Sequence, residues 1–428
     1  MSAPAPAPTV AVLLDLAHGC GCGCAGRSLR QEAARSVAGA RTGAHLLVLS
    51  ATGGPAGGDA AEATAGAWSG GGVARVLSDW RADAASAYRL KCSADELGAL
   101  SLRVITSRRG RARLLGYERA LFSPLYTWTY LLGCDREDDD DDDDGGGVRE
   151  ADDEVAAYLR RLPSVGGPVR VLTSALIPPE CFGHGFSTRA GGVSRVPTLS
   201  SLNLVSSPKR RDSAAVVREN RRRLALHAGF YPRPLHVLKV EHGGRVWVCG
   251  QAEPERYDAA VTDRPGTVLA APGADCLPLL FADPVAGAVG AAHAGWRGTL
   301  LGVATATVAA MTTELGCVPE DILVVSGPSV GPCCFTLEPE RAARFRPECV
   351  RPVRAGGLGV DLRLANRLQL QEAGIAPHHI HDDEGVAPCT ACRPRDFFSH
   401  ARDGAHFGSQ AGFVWIREER GGGSLLPG

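Results

Sequence analysis

Residues 267–298, TVLAAPGADCLPLLFADPVAGAVGAAHAGWRG, decide the fold. Three apolar runs, 267–270, 277–282 and 288–292, have strand length and are punctuated by Gly, Pro and Asp. Cys276 follows the turn Gly273-Ala274-Asp275 and leads into the second run. His293 ends the third and opens a glycine-flanked Trp296-Arg297 turn, with a helix expected from about Thr299. In such turns a side chain points into a cleft instead of a core.

Working outward, 169–174, 237–240, 245–249, 322–326 and 413–416 also read as strands. Helical spacing covers 214–228, 300–315, 338–345 and 361–373. Asp361 is placed to cap its helix, and Gly229 and Gly374 to end theirs. Many strands with few long helices favour packed sheets with helices outside over a repeated strand–helix barrel. The fold class expected is therefore α/β (α+β), in layers.

His242, between the 237–240 strand and Gly243-Gly244, supplies a second accessible imidazole. One thiolate and two neutral imidazoles are a ligand set that holds zinc while leaving a fourth position open. Zn2+ suits this mixture of soft and borderline donors. Three readings stand at this point: a His242–Cys276–His293 metal site, three structural side chains, or a Cys276 nucleophile with a histidine base. Asp275 is costly to bury unpaired, so its turn is built to hold polar groups. Arg297 beside a helix start is a candidate for phosphate.

Other polar clusters are candidates for the same cleft. Residues 184–194, HGFSTRAGGVS, read as a flexible turn in which Arg189 is either an anion or ligand clamp or a plain salt-bridging residue. Asn203 and Arg402 are further candidates for substrate binding. Residues 327–335, GPSVGPCCF, form a rigid loop after a strand. Cys389-Thr390-Ala391-Cys392 has the spacing of a dithiol centre or half a zinc finger, but no second Cys-x-x-Cys follows, and structural thiols are the reading taken. His378, His379 and His381 form a weak surface cluster.

A chain of 428 residues is long enough for two or three domains. The 46 Lys plus Arg nearly balance 47 Asp plus Glu, so no global field recruits nucleic acid. Fourteen cysteines are too dilute for a small disulfide scaffold. No basic leader or bilayer-length apolar run is expected, and reduced thiols point to an intracellular protein. An amino-terminal α/β domain over 1–165 is expected from strands at 10–16, 45–49 and 101–107 and helices at 28–41, 73–90, 111–121 and 152–162. The acidic run 137–144 reads as a solvated loop. Cys20, Cys22 and Cys24 with His18 form a weaker candidate for a soft metal. The Gly-rich stretches lack the spacing of a dinucleotide or phosphate loop.

STRAGGVSRVPTLSSLNL (187–204), GADCLPLLFADP (273–284), AHAGWRGTLLGVA (292–304), SGPSVGPCCFTL (326–337) and FFSHARDG (397–404) carry a resemblance. In this order they resemble the laccase domain-containing protein 1 (FAMIN) family, whose carboxy-terminal half is similar to bacterial YfiH-type polyphenol oxidase/purine nucleoside phosphorylase proteins. The resemblance implies a mixed α-β-β-α sandwich over 166–428, not a cupredoxin. It implies zinc held by His242, Cys276 and His293, the same three acting in catalysis. The implied substrates are phosphate with inosine, guanosine, adenosine or methylthioadenosine, with adenosine deamination besides. It also implies macrophage purine metabolism and innate immunity, in cytoplasm and peroxisomes.

Glu241 stands where vertebrate members carry a second histidine, so proton transfer there is expected to differ. Alternatives from other classes remain. One is a hydrolase using Cys276, including citrulline-to-ornithine hydrolysis. A scaffold is another, with a homo-oligomer or metabolic-enzyme partner held through the amino-terminal domain. Copper oxidation of phenols is poorly served, since His379-x-His381 is the sole spacing of its type.

Overall fold

The computed structural model describes residues 9–18, 44–51, 55–68, 71–81, 83–132, 146–353, 356–383 and 385–418. The helix expected at 28–41, the Cys20–Cys24 cluster and the acidic run 137–144 lie outside them. The chain forms two compact units, Met1–Pro163 with Ser206–Glu219, and Ser164–Val205 with Asn220–Gly428.

The first unit holds a parallel sheet in the order Gly71–Trp80, Ala44–Ala51, Thr9–Asp15, Ala99–Thr106, Thr127–Leu132. Its middle strands read as apolar runs because parallel strands are covered on both faces. Val12, Leu14, Leu46, Val48 and Ile105 form one core there. The single helix expected at 73–90 is instead the strand Gly71–Trp80 followed by the helix Ala84–Glu96. The Asp83 carboxylate accepts from the Ser86 amide and starts that helix, which the apolar spacing alone did not locate.

In the second unit, two sheets lie face to face. One runs Ile380–His381, Leu323–Ser326, Leu277–Asp283, Ala288–Ala294, Ala259–Thr262, Val246–Val248. The other runs Val171–Leu172, Phe182–Ser187, Gln410–Ile416, Val268–Gly273, Leu235–Val237. Alternate residues of each strand serve different layers. Leu280, Ala282, Val289 and Ala291 meet Phe186, Leu269, Ala271 and Val414 between the sheets. Leu277, Leu279, Phe281 and Ala292 face outward onto the helix Val303–Leu315. Leu224 and Ala225 pack on the outer face of the other sheet. The result is the mixed α-β-β-α layering expected.

Three local expectations are corrected. Residues 184–187 belong to the strand Phe182–Ser187 instead of a flexible turn. A Cβ on Gly183 would stand 2.0 Å from the Trp415 ring, so the glycine admits an aromatic neighbour and does not mark a turn. The helix placed near Thr299 begins at Trp296, stops after Leu300, and resumes at Val303 beyond Gly302 at φ 73. The helix expected at 338–345 shortens to Pro339–Ala342.

Candidate active site

The strands Leu277–Asp283 and Ala288–Ala294 pair antiparallel, with Pro278 opposite His293. Ala288–Ala294 also pairs with Ala259–Thr262, Ala259 opposite Ala292. By strand alternation, Asp258, Cys276 and His293 share the parity of Ala260, Leu280 and Ala291, which face the space between the sheets. Asp258 and Cys276 immediately precede their strands, and His293 is the next-to-last residue of its own. Register thus gathers residues 35 positions apart, as for Asp258 and His293.

His242 arrives from a neighbouring turn and occupies the left-handed region at φ 65. The turn is wound around the buried Asp258 carboxylate, which accepts from the amides of Glu241 (3.1 Å), His242 (2.9 Å) and Gly243 (2.8 Å). The same carboxylate contacts His293 Nδ1 at 2.9 Å. Asp258 therefore couples both histidines to one anchor, offsetting the backbone strain at His242. Sequence reasoning missed it; its available signal was one acidic residue starting the apolar run 259–262.

One ligand atom from each of His242, Cys276 and His293 lies within 4.8 Å of the others. Gly295 supplies the remaining wall. A Cβ there would stand 3.0 Å from Cys276 Sγ, 3.3 Å from His242 Cδ2 and 3.7 Å from His293 Cε1. Two imidazoles, a thiol, a carboxylate behind one imidazole and a side-chain-free cradle fit a metal ion. Burial opposes charge on Cys276, yet the His293 and His242 rings bring its thiol down to about 6. Burial likewise opposes charge on His293, but Cys276 and Asp258 raise it well above the ordinary histidine range. For Asp258 burial works upward, and the His293 ring and the turn amides outweigh it, holding the carboxyl low.

The other expected site residues have distinct settings. Asp275, at φ 101, accepts from Thr390 Oγ1 (2.7 Å) and the Ala401 amide (2.6 Å), and its carbonyl accepts from Val330 (2.9 Å). It braces the turn before Cys276. Arg189 donates to the carbonyls of Ser200, Pro394 and Pro197 at 2.7, 2.8 and 2.9 Å, so its guanidinium is committed to loop backbone. Asn203 is fully buried, and its Oδ1 accepts from Ser409 at 3.0 Å. Arg402 pairs with Asp403 and donates to the carbonyls of Thr390 and Phe397. Arg297 differs: it is exposed in the first turn of Trp296–Leu300, with its guanidinium 5.0 Å from the Trp296 ring centre. His381 is spent on Ser174 Oγ and Asp383, which takes it out of the expected surface cluster.

Residues 183–417 match a family model described as multi-copper polyphenol oxidoreductase laccase. The chain is 48% identical to purine nucleoside phosphorylase LACC1 of Mus musculus, over 78% of this chain and 80% of that protein. It is 35% identical to purine nucleoside phosphorylase YfiH of Escherichia coli strain K12, over 54% of this chain and 92% of the relative. Among solved structures, YlmD of Geobacillus stearothermophilus is similar with TM-score 0.51 and 35% identity, covering 56% of this chain and 94% of that one.

Proposed function

The chain belongs to the multi-copper polyphenol oxidoreductase laccase family, whose relatives include purine nucleoside phosphorylases, and from that premise we propose that it phosphorolyses purine nucleosides at the His242–Cys276–His293 cluster. The convergence of those three donor atoms within 4.8 Å, backed by Asp258, is the observation that carries the reading. Zinc is the metal best suited to two imidazoles and one thiolate, and when bound it supplies Lewis acidity toward a substrate oxygen or nitrogen.

Phosphate attacks the anomeric carbon as the bond to the purine nitrogen breaks, giving ribose 1-phosphate and free base. With hydrogen phosphate as nucleophile, its proton ends on the departing purine, so atoms and charge balance. Arg297 is an exposed cation suited to draw phosphate in. Glu241, exposed and one residue from His242, is suited to relay the proton. Asp258 keeps the His293 ring in one tautomer and orientation. Asp275 and the backbone-bound Arg402 and Arg189 keep the surrounding loops in place.

The substrates proposed are inosine, guanosine, adenosine and methylthioadenosine, with adenosine deamination in a different pose of the purine. The setting proposed is macrophage purine metabolism and innate immunity, in the cytoplasm and at peroxisomes. Residues 1–165 would serve partner or regulatory contacts, including self-association.

Incubating the purified 428-residue chain with each nucleoside and phosphate, and quantifying free base and ribose 1-phosphate (methylthioribose 1-phosphate from methylthioadenosine), tests this. Phosphate-dependent base release that Cys276→Ala abolishes is expected. No release from any of the four nucleosides by zinc-loaded protein would sink it.

One observation favours a second reading. Cys276 with a lowered thiol pKa, His293 beside it and Asp258 on His293 Nδ1 also compose a nucleophile, base and orienting carboxylate. That set suits a hydrolase acting on a ureido carbon, such as citrulline-to-ornithine conversion. Covalent trapping on Cys276 in metal-free protein distinguishes it from phosphorolysis.

A further inference from the structure

Cys389-x-x-Cys392 lacks a second such pair in the sequence, but the fold supplies partners of another kind. Ser329 and Cys389 form an isolated parallel bridge, and the Thr390 amide donates to the Ser329 carbonyl at 3.0 Å. This brings the loop containing Cys333-Cys334 against the Cys389–Cys392 turn. The four sulfurs all lie within 4.8 Å of one another. Cys333 Sγ is 3.7 Å from Cys389 Sγ and 3.7 Å from Cys392 Sγ, and Cys334 Sγ is 3.4 Å from Cys392 Sγ.

Those separations are too long for disulfide bonds, which hold sulfurs about 2.05 Å apart. They are close to the edges of a zinc tetrahedron, where Zn–S bonds of about 2.3 Å place the sulfurs about 3.8 Å apart. The backbone is also shaped around sulfur. The Gly331 amide donates to Cys389 Sγ at 3.2 Å, a contact that favours thiolate. A Cβ on Gly331 would stand 3.3 Å from Cys333 Sγ and 3.6 Å from Cys389 Sγ, so the bare glycine lets the loop close over the cluster.

We propose that Cys333, Cys334, Cys389 and Cys392 form a structural zinc site, distinct from the His242–Cys276–His293 cluster. Four thiolates fill a tetrahedral shell and leave no position for substrate, so this site holds structure. Binding converts four thiols to thiolates and releases four protons per zinc ion. The two segments it clamps both end on Asp275: Thr390 Oγ1 donates to Asp275 Oδ1 at 2.7 Å, and the Val330 amide to the Asp275 carbonyl at 2.9 Å. Zinc at the four cysteines therefore fixes the turn that presents Cys276. The proposal stands whichever reaction the neighbouring cluster performs.

The test uses full-length protein, zinc quantification by mass spectrometry, and cobalt substitution. Two zinc equivalents are expected in the parent chain, and one in each of Cys276→Ala and the double variant Cys389→Ser/Cys392→Ser. Cobalt-loaded parent protein should show the intense sulfur-to-cobalt absorption of a tetrathiolate, retained in Cys276→Ala and lost in the double variant. The spectrum of the parent protein decides the matter even if the double variant fails to fold. A parent chain whose only zinc disappears with Cys276→Ala overturns the proposal. So does a native disulfide among the four cysteines, or iron or copper found there in place of zinc.

Discussion

Asp258 Oδ1 stands 2.9 Å from His293 Nδ1, and this contact leaves Nε2 as the ring nitrogen available for a proton or a metal. Asp258→Asn keeps the size of the side chain but removes its charge and can present an amide donor to amide neighbours. Metal affinity is expected to fall about 10- to 100-fold, the usual effect of losing a carboxylate behind a ligating histidine. Titration with a competing chelator measures it. Unchanged affinity would show that Asp258 serves the turn alone.

The bare wall at Gly295 makes a sharper test of the cluster than deleting a ligand. Gly295 has φ −70, so alanine meets no backbone strain. Its Cβ, however, would stand 3.0 Å from Cys276 Sγ. Gly295→Ala should therefore lower turnover by about 100-fold through misplacement of reacting groups, with little change in melting temperature. Full activity in this variant would mean that the space between the three ligands is unused.

The ends of the strands around Cys276 and His293 were legible in sequence because a polar residue interrupts an apolar run at a glycine turn. Asp258 was not, because its role comes from the register that sets Ala259 opposite Ala292. No local pattern encodes that pairing. Cys333-Cys334 and Cys389-x-x-Cys392 escaped for the same reason, since 56 residues separate Cys333 from Cys389. The strand Phe182–Ser187 was hidden by Gly183 and Gly185, whose turn-like identity reflects close neighbours across the sheet. At these positions, long-range pairing is what the sequence concealed, whereas the helix expected at 73–90 failed locally, its start at Asp83 being hidden behind a strand.

In metal-free protein the Cys276 thiol, at about 6 against an ordinary 9.0, sets a pH profile. The thiolate is the reactive form, so alkylation should be fast above about pH 6 and fade as pH falls through that value. Cys249 and Cys349 are pushed up to about 11 by burial, so they should stay unreactive in the same window. Peptide mapping after a brief iodoacetamide pulse follows Cys276 alone. A midpoint near the ordinary thiol value would remove the His293–Cys276 coupling.

Copper loading separates the family description from the chemistry of this chain. Blue copper sites add a weak axial ligand, often methionine, to two histidines and a cysteine. Among the described residues the one methionine is Met311, fully buried in the outer core. Oxygen uptake with a phenol is expected to stay at background after copper reconstitution. Rapid uptake that Cys276→Ala abolishes would contradict this.

Arg297 provides the last test, because phosphate must be drawn from bulk water to a partly buried cluster. Its guanidinium is exposed and stacked near Trp296, so it can be removed without leaving a buried partner unpaired. A charged hydrogen bond to phosphate contributes about 1.5–3 kcal/mol, or roughly 10- to 100-fold in binding. Arg297→Ala should therefore raise the KM for phosphate by that factor while the KM for inosine changes little. Arg297→Lys should recover part of the loss, since a point charge replaces the two-pronged donor. Equal weakening toward both substrates would argue that the residue shapes the turn and does not meet phosphate.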